Sequence, residues 1–329
     1  MGILRFYLAL SVLNAHMPQS LHFIFVGPEI AVEAFFVISG YVISQILHVR
    51  KNQTQYQFIS ASIRRIYPTY LLVLTLTIAA NLLNGTELKL NPITILINTF
   101  IIGLDVFIFV NYYNGVPLGA GIFLPQSWSL ALEMYFYFFA KSITKFRTRT
   151  ILVYCFLALF LKIVLSLSEV LFDPFSYRLA PFEAAYFMLG ILSYRIRARL
   201  ELSRLALLTS STTLAAFFFL SPALESITAG LFLLLWLPKL WQFDSEFSLS
   251  RILGALSYPF YLIHLLVLQI FLWFLSEYTM KIEQTIMFIS VLSMSIAASL
   301  MLQVALKIIG KIRIKFCAQW SSHVIGRNK

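Results

Sequence analysis

Apolar runs follow one another from Leu4 to Lys307, separated only by short polar breaks. Runs of roughly 17 to 25 residues are long enough to cross a bilayer as α-helices. The pattern therefore predicts a series of helical segments along nearly the whole chain. The predicted segments are Leu4–Val26, Ile30–Leu47, Ile66–Leu83, Ile93–Val110, Ser127–Ala140, Ile151–Leu167, Pro181–Tyr194, Leu205–Leu220, Ala223–Leu237, Ile252–Leu275 and Ile286–Ile308.

The composition agrees with this pattern. Hydrophobic residues make up 60% of the 329 residues, charged residues make up only 12%, and the mean hydropathy is +0.83, which is unlike a soluble domain. Runs such as Ile151 to Leu161 are apolar on every side, whereas transmembrane β-strands alternate over about ten residues. We expect an all-α polytopic membrane protein with one domain over residues 1–329, ending in a basic cytoplasmic tail at 309–329.

The charged residues carry topology information. The chain has 25 Lys and Arg against 14 Asp and Glu, but the basic residues cluster in the gaps between apolar runs, which indicates cytoplasmic loops rather than nucleic-acid binding. The clusters are Arg50, Lys51, Arg64 and Arg65; Lys141, Lys145, Arg147 and Arg149; Arg195, Arg197, Arg199 and Arg204; and Lys307, Lys311, Arg313 and Lys315.

The number of segments conflicts with this topology. Eleven crossings would place the termini on opposite sides, whereas both termini are expected in the cytoplasm. One segment between Ile66 and Ala140 should therefore fail to cross, and Ile93–Val110 is the candidate for a re-entrant or interfacial helix. About ten spans remain.

Arg5 and His16 form the most informative polar pair in the first segment. Eleven helical positions turn about 1100° and rise about 16 Å, so both side chains share one helix face. Ionisable residues inside membrane segments often serve function. The alternative is that Arg5 only anchors the topology and that His16 is a buried histidine bonded to a neighbouring helix. Pro18 is expected to kink or end this helix.

Further polar residues lie in later segments. Glu33 is expected at the depth of His16, where it could orient the imidazole, and its alternative is an ion pair with an arginine. Ser39 and Gly40 are expected to permit close helix packing. His264 is expected to make a structural hydrogen bond. Asp173 and Glu183 are expected to be solvated loop charges, with contact to a substrate as their alternative. The two cysteines form no metal-ligand cluster, so no metal site is predicted.

An ordered set of motifs resembles the integral membrane acyltransferase-3 family, most strongly from Arg5 to Pro68 and from Trp128 to Tyr137. Besides Arg5 and His16, the motifs are Glu33 to Tyr41, Arg65-Ile66-Tyr67-Pro68, Trp128-Ser129-Leu130 with Glu133, Phe136 and Tyr137, and Ser257-Tyr258 with Tyr261 and His264.

The resemblance implies transfer of an acyl group, usually acetyl, from cytoplasmic acyl-CoA to a hydroxyl of a sugar or glycan at the cell surface. His16 matches the histidine that the family links to catalysis, and Arg5 matches the arginine before it. The family's basic motif after the second helix has two arginines three apart. Here Ser62 stands at the earlier position and Arg64 is shifted beside Arg65. No appended esterase-like domain is expected.

These residues suggest a division of roles. His16, Glu33 and Glu133 are the candidate catalytic residues, and Glu133 suits a functional buried carboxylate. Because CoA is polyanionic at one end, Arg5, Arg64 and Arg65 are the candidates for holding it. Trp128, Ser129 and Tyr137 are the candidate substrate contacts, with membrane-interface anchoring as the alternative for Trp128.

His16 can act as a base toward the acceptor hydroxyl or can carry the acyl group as a transient acyl-histidine. No permanently bound cofactor is expected, and acetyl-CoA is the donor substrate. The expected partners are acyl-CoA, a saccharide or glycan acceptor, the bilayer of the bacterial inner membrane and proteins of polysaccharide assembly. The rival prediction is a transporter or flippase of glycan or lipid precursors that uses intramembrane His and Glu, but no paired repeats support it.

Overall fold

The computed structural model describes residues 1–18, 25–86, 88, 91–168, 173–175, 177–197, 210–212, 215, 224–245, 247–277 and 283–325, with side chains described up to residue 310 apart from Ser245. The regular elements in these ranges are all helical. They are α1 (Gly2–His16), α2 (Pro28–Val49), α3 (Gln55–Leu83), α4 (Pro92–Phe100), α5 (Leu104–Tyr113), α6 (Trp128–Ile143), α7 (Thr148–Leu167), α8 (Ala180–Ile196), α9 (Glu225–Ser245), α10 (Ser248–Glu277) and α11 (Gln284–Ile325). The predicted segment Leu205–Leu220 lies largely outside the described residues.

Six of the described helices are long and apolar enough to cross a membrane. These six are Pro28–Val49, Gln55–Leu83, Thr148–Leu167, Glu225–Asp244, Ser248–Glu277 and Gln284–Gly310. Helices α1, α6 and α8 have 15, 16 and 17 residues, so each rises only about 22 to 26 Å, less than the roughly 30 Å of a hydrocarbon core. The helices and their apolar composition describe a multi-pass membrane protein, but the predicted count of about ten spans is not confirmed.

The segment predicted not to cross is broken in the structure. Helix α4 has nine residues and α5 has ten, so each rises only about 15 Å. Between them, Ile101 and Gly103 have positive φ angles of 68° and 96°, which interrupt the helical backbone. Residues 93–110 therefore do not form one continuous helix.

Helix α1 lies against α10. The rings of Phe6 and Phe260 have centroids 5.2 Å apart, and a Cβ atom on Gly2 would overlap the backbone oxygen of Ser250. Asp244 accepts hydrogen bonds from the backbone nitrogens of Gly2 at 2.8 Å and Ile3 at 3.2 Å. A carboxylate at this position satisfies free N–H groups at a helix start and complements the helix dipole. The start of α1 is thereby fixed beside the end of α9 and the start of α10.

Helix α2 packs closely on α8. A Cβ atom on Gly40 would overlap the backbone oxygen of Phe187, and one on Gly190 would overlap the backbone oxygen of Val37. The expected packing role of Gly40 is therefore confirmed. Ser39 faces elsewhere, because adjacent helical residues point about 100° apart.

Candidate active site

A cavity of about 470 Å³ opens between α1, α2, α3, α6, α10 and α11. This volume lies within the usual range for a small-molecule site. Helix α2 lines the cavity with Val32, Phe35, Phe36 and Ser39, and α6 lines it with Ser129, Leu130, Glu133 and Tyr137. Spacings of three, four and seven or eight residues place each set on one helix face.

A hydrogen-bonded network crosses the cavity wall. Arg65 Nη2 donates to the Tyr137 hydroxyl at 2.8 Å, and this hydroxyl donates to Glu133 Oε1. Ser39 Oγ donates to the same carboxylate oxygen at 2.9 Å. The network links α2, α3 and α6, so Glu133 and Tyr137 hold the Arg65 guanidinium at a fixed place in the cavity.

The cavity carries a surplus of positive charge. Among its lining residues, Arg5, Arg65 and Lys307 are cationic and Glu133 is the one carboxylate. Arg5 lies within electrostatic range of Glu133, Tyr137 and Arg65. Because one carboxylate does not neutralise three cations, the cavity has a net positive charge, which favours an anionic ligand.

Arg64 is not brought into this cavity. Arg64 is exposed on another face of α3, and its Nε donates a hydrogen bond to the backbone oxygen of Ser60 at 3.2 Å. Ser62, which replaces an arginine of the family motif, is buried beside Arg5 and Arg65. The predicted grouping of Arg64 with Arg5 and Arg65 is therefore wrong, because a one-residue shift on a helix turns a side chain by about 100°.

His16 lies at the opposite end of α1 from Arg5 and outside the lining of the cavity. Its ring centroid is 5.6 Å from that of His264, which is fully buried. Nδ1 of His264 lies 2.8 Å from the backbone oxygen of Tyr261, so the expected structural hydrogen bond is present. The side chain of Tyr261 lines the cavity and bonds to Ser129 Oγ at 2.8 Å. Tyr261 thus contacts both the cavity and His264.

Trp128 packs against a cation. The guanidinium carbon of Arg178 lies 4.6 Å from the ring centroids of both Trp128 and Tyr177, and Arg178 Nε donates to Asp173 Oδ1 at 2.6 Å. Arg178 also acts electrostatically on His16. Trp128 is only 5% exposed, so its buried ring holds Arg178 near His16 and offers little surface to a sugar.

Tyr177 contributes to the same cluster from the loop before α8. Burial raises the pKa of its hydroxyl to about 12, so the phenol is neutral at physiological pH. The hydroxyl accepts a hydrogen bond of 2.7 Å from Arg178 Nη2. This contact and the Asp173 pair fix the guanidinium between the two rings. Asp173 is an exposed loop charge, as expected, and it is paired with Arg178.

Glu33 faces away from the expected partner. Its Oε1 accepts a hydrogen bond from Lys162 on α7, and both side chains are buried. Glu33 shares a helix face with Val37 and Gly40, which pack on α8. Glu183, expected to be solvated, is fully buried beside this pair. Glu33 is therefore placed as an ion-pair partner of Lys162, and the expected contact with His16 is wrong.

The site roles of three residues were not predicted from the sequence. Lys162 could have been found, because it is a single cation within an otherwise apolar run. Lys307 was assigned to topology only, although it also lines the cavity. Arg178 has no distinguishing neighbours in the sequence, and only the fold brings it to Trp128.

Comparison with known proteins supplies the family. Searches of curated proteins and of solved structures found no match. A family model described as an acyltransferase domain matches residues 3–304 of the 329 residues. This range contains every residue of the cavity described above except Leu306 and Lys307. The chain therefore belongs to the acyltransferase-3 family of membrane acyltransferases.

Proposed function

We propose that this protein is a membrane-bound O-acyltransferase that moves an acetyl or another short acyl group from acyl-CoA to a hydroxyl of a cell-surface sugar, a polysaccharide or its lipid-linked precursor. The observation that carries the proposal is the cationic cavity beside a histidine pair within a membrane acyltransferase fold. The proposed location is the bacterial inner membrane, with both termini in the cytoplasm.

The cavity suits the donor. CoA combines a polyanionic nucleotide with a long, uncharged pantetheine arm that ends in the thioester. Arg5, Arg65 and Lys307 would bind the phosphates at the end of the cavity where α1 begins. The arm would extend past Ser129 and Tyr261, where Tyr261 contacts His264, so that the thioester would reach His16. Lys307 and Arg5 would together compensate for the arginine that Ser62 replaces.

His16 would move the proton. One ring nitrogen accepts the proton of the acceptor hydroxyl while the oxygen attacks the thioester carbonyl. The C–S bond breaks, and the thiolate takes the proton from the imidazolium, which leaves an ester and free CoA. Arg178, fixed near His16, would stabilise the negative charge that develops on the carbonyl oxygen.

A covalent route uses the same residues. His16 attacks the thioester, CoA leaves as the thiol, and the acyl-imidazole then transfers its acyl group to the acceptor hydroxyl. Acid quenching after mixing with acetyl-CoA, followed by mass spectrometry of the peptide that contains His16, separates the two routes. An acetylated peptide that disappears on adding acceptor supports the covalent route, and an unmodified peptide supports direct transfer.

The proposed function is tested by transfer of labelled acetyl from acetyl-CoA to surface glycan in membranes from cells with the wild-type protein, His16→Ala or His48→Ala. His48 is an exposed histidine near the end of α2 and serves as the matched control. We expect loss of transfer in His16→Ala and normal transfer in His48→Ala at equal membrane levels. Unchanged acetylation in His16→Ala would refute the proposal. Mass spectrometry of the glycan identifies the acceptor.

A further inference from the structure

His264 has one ring nitrogen with a partner and one without. Nδ1 lies 2.8 Å from the Tyr261 backbone oxygen. Because a carbonyl oxygen only accepts hydrogen bonds, Nδ1 carries the proton of the neutral ring and Nε2 carries a lone pair. The side chain is fully buried, and Nε2 has no partner within the described part of the chain. Buried acceptors in proteins usually accept a hydrogen bond, so a donor to Nε2 is expected.

His16 lies close enough to supply that donor. The two ring centroids are 5.6 Å apart, with an angle of 33° between the planes. Two imidazoles joined by a straight N–H···N hydrogen bond of about 2.9 Å have centroids about 5.2 Å apart. His16 is the last residue of α1, where the backbone becomes extended at Met17. A small rotation of its side chain closes the difference without moving the helix.

The other charged groups around this pair do not take the same role. Arg178 acts on His16 from the loop before α8, but a guanidinium has no lone pair to accept a hydrogen bond. Glu33, the carboxylate expected to orient His16, bonds to Lys162. Of these groups, the Nε2 lone pair of His264, on a ring 5.6 Å from that of His16, is therefore the acceptor without a partner.

We propose that His264 is a positioning residue for His16. Its Nε2 accepts a hydrogen bond from one ring nitrogen of His16, which fixes the tautomer and leaves the other nitrogen free as base or nucleophile. The Tyr261 carbonyl in turn fixes His264. This arrangement gives a neutral imidazole the orienting role that a carboxylate has in hydrolytic triads. The inference rests on the proposed function of His16.

Two substitutions distinguish the roles of the two ring nitrogens of His264. Asparagine keeps a donor near the position of Nδ1 and removes the acceptor at Nε2, whereas glutamine keeps an acceptor near Nε2. We expect His264→Asn to lower kcat for acetyl transfer roughly 10- to 100-fold, with little change in KM for acetyl-CoA. His264→Gln should retain a larger share of the activity. If His264 only supports the fold through Tyr261, His264→Asn should be as active as the wild type, and that result overturns the proposal.

A double substitution tests whether His264 acts through His16. In membranes with equal protein levels, the residual transfer of His16→Ala is compared with that of His16→Ala/His264→Asn. We expect no further loss, because removing the orienting group matters only while His16 is present. An additional loss as large as that of His264→Asn alone overturns the inference. If His16→Ala is itself fully active, the proposed function fails; if His16→Ala is inactive and His264→Asn is fully active, only the inference about His264 fails.

Discussion

Lys162 on α7 donates a hydrogen bond to Glu33 on α2, and both side chains are buried. Removing one member of a buried ion pair leaves a charge without a partner, which costs about 3 to 5 kcal/mol. We expect Lys162→Met to lower the melting temperature of the purified protein in detergent and its level in the membrane. Glu33→Gln/Lys162→Met should recover part of this loss, because the double variant removes both charges. A melting temperature of Lys162→Met equal to that of the wild type would contradict the buried pair.

The same pair bears on the catalytic role predicted for Glu33. Since its carboxylate is engaged by Lys162, we expect Glu33→Gln to retain acetyl transfer when the rate is normalised to folded protein. His16→Ala serves as the inactive reference. Loss of turnover in well-folded Glu33→Gln would restore Glu33 as a catalytic residue.

Neighbouring arginines on α3 provide a matched pair for the donor site. Arg65 lines the cavity and bonds to Tyr137, whereas Arg64 is exposed and bonds to Ser60. Loss of a charge-assisted contact worth about 1.5 to 3 kcal/mol corresponds to roughly 10- to 100-fold weaker binding. We expect Arg65→Ala to raise KM for acetyl-CoA by about this factor and Arg64→Ala to change it little. Equal effects of the two variants would argue against donor phosphates in the cavity.

Arg178 is held between Trp128 and Tyr177 near His16. We expect Arg178→Gln to lower kcat for acetyl transfer at least tenfold, because the fixed charge that stabilises the developing oxyanion is lost. Arg149→Gln, the same substitution at an exposed arginine in the first turn of α7, is the control. A normal rate in Arg178→Gln would show that the cation has no part in the reaction.

The contact between α2 and α8 predicts a steric effect. A methyl group at Gly40 meets the backbone oxygen of Phe187, so Gly40→Ala must separate the helices, at a cost of about 1 to 3 kcal/mol. Gly119 lies in an exposed turn with open space around it, and Gly119→Ala serves as the control. We expect a lower melting temperature for Gly40→Ala alone. Because the neighbouring face of α2 lines the cavity, the same variant should also lose transfer activity.

The sequence by itself was sufficient for the class of fold and for much of the cavity. Long apolar runs predict helices because the backbone must satisfy its own hydrogen bonds in lipid. Regular helical spacing also places side chains on faces, which is why Glu133 and Tyr137 were found together with Ser129. The family resemblance, confirmed by the match over residues 3–304, supplied the acyl-transfer chemistry.

Only the tertiary structure decided which charged groups meet. Glu33 and His16 were expected to pair because their depths are similar, but depth does not fix the direction in which a helix face points. The orientation of α2 about its axis points Glu33 toward Lys162. The packing of α1 against α10 places the ring of His16 near that of His264. Contacts of this kind depend on how helices distant in the chain pack together. The periodicity of apolar and polar residues within one helix does not predict that packing.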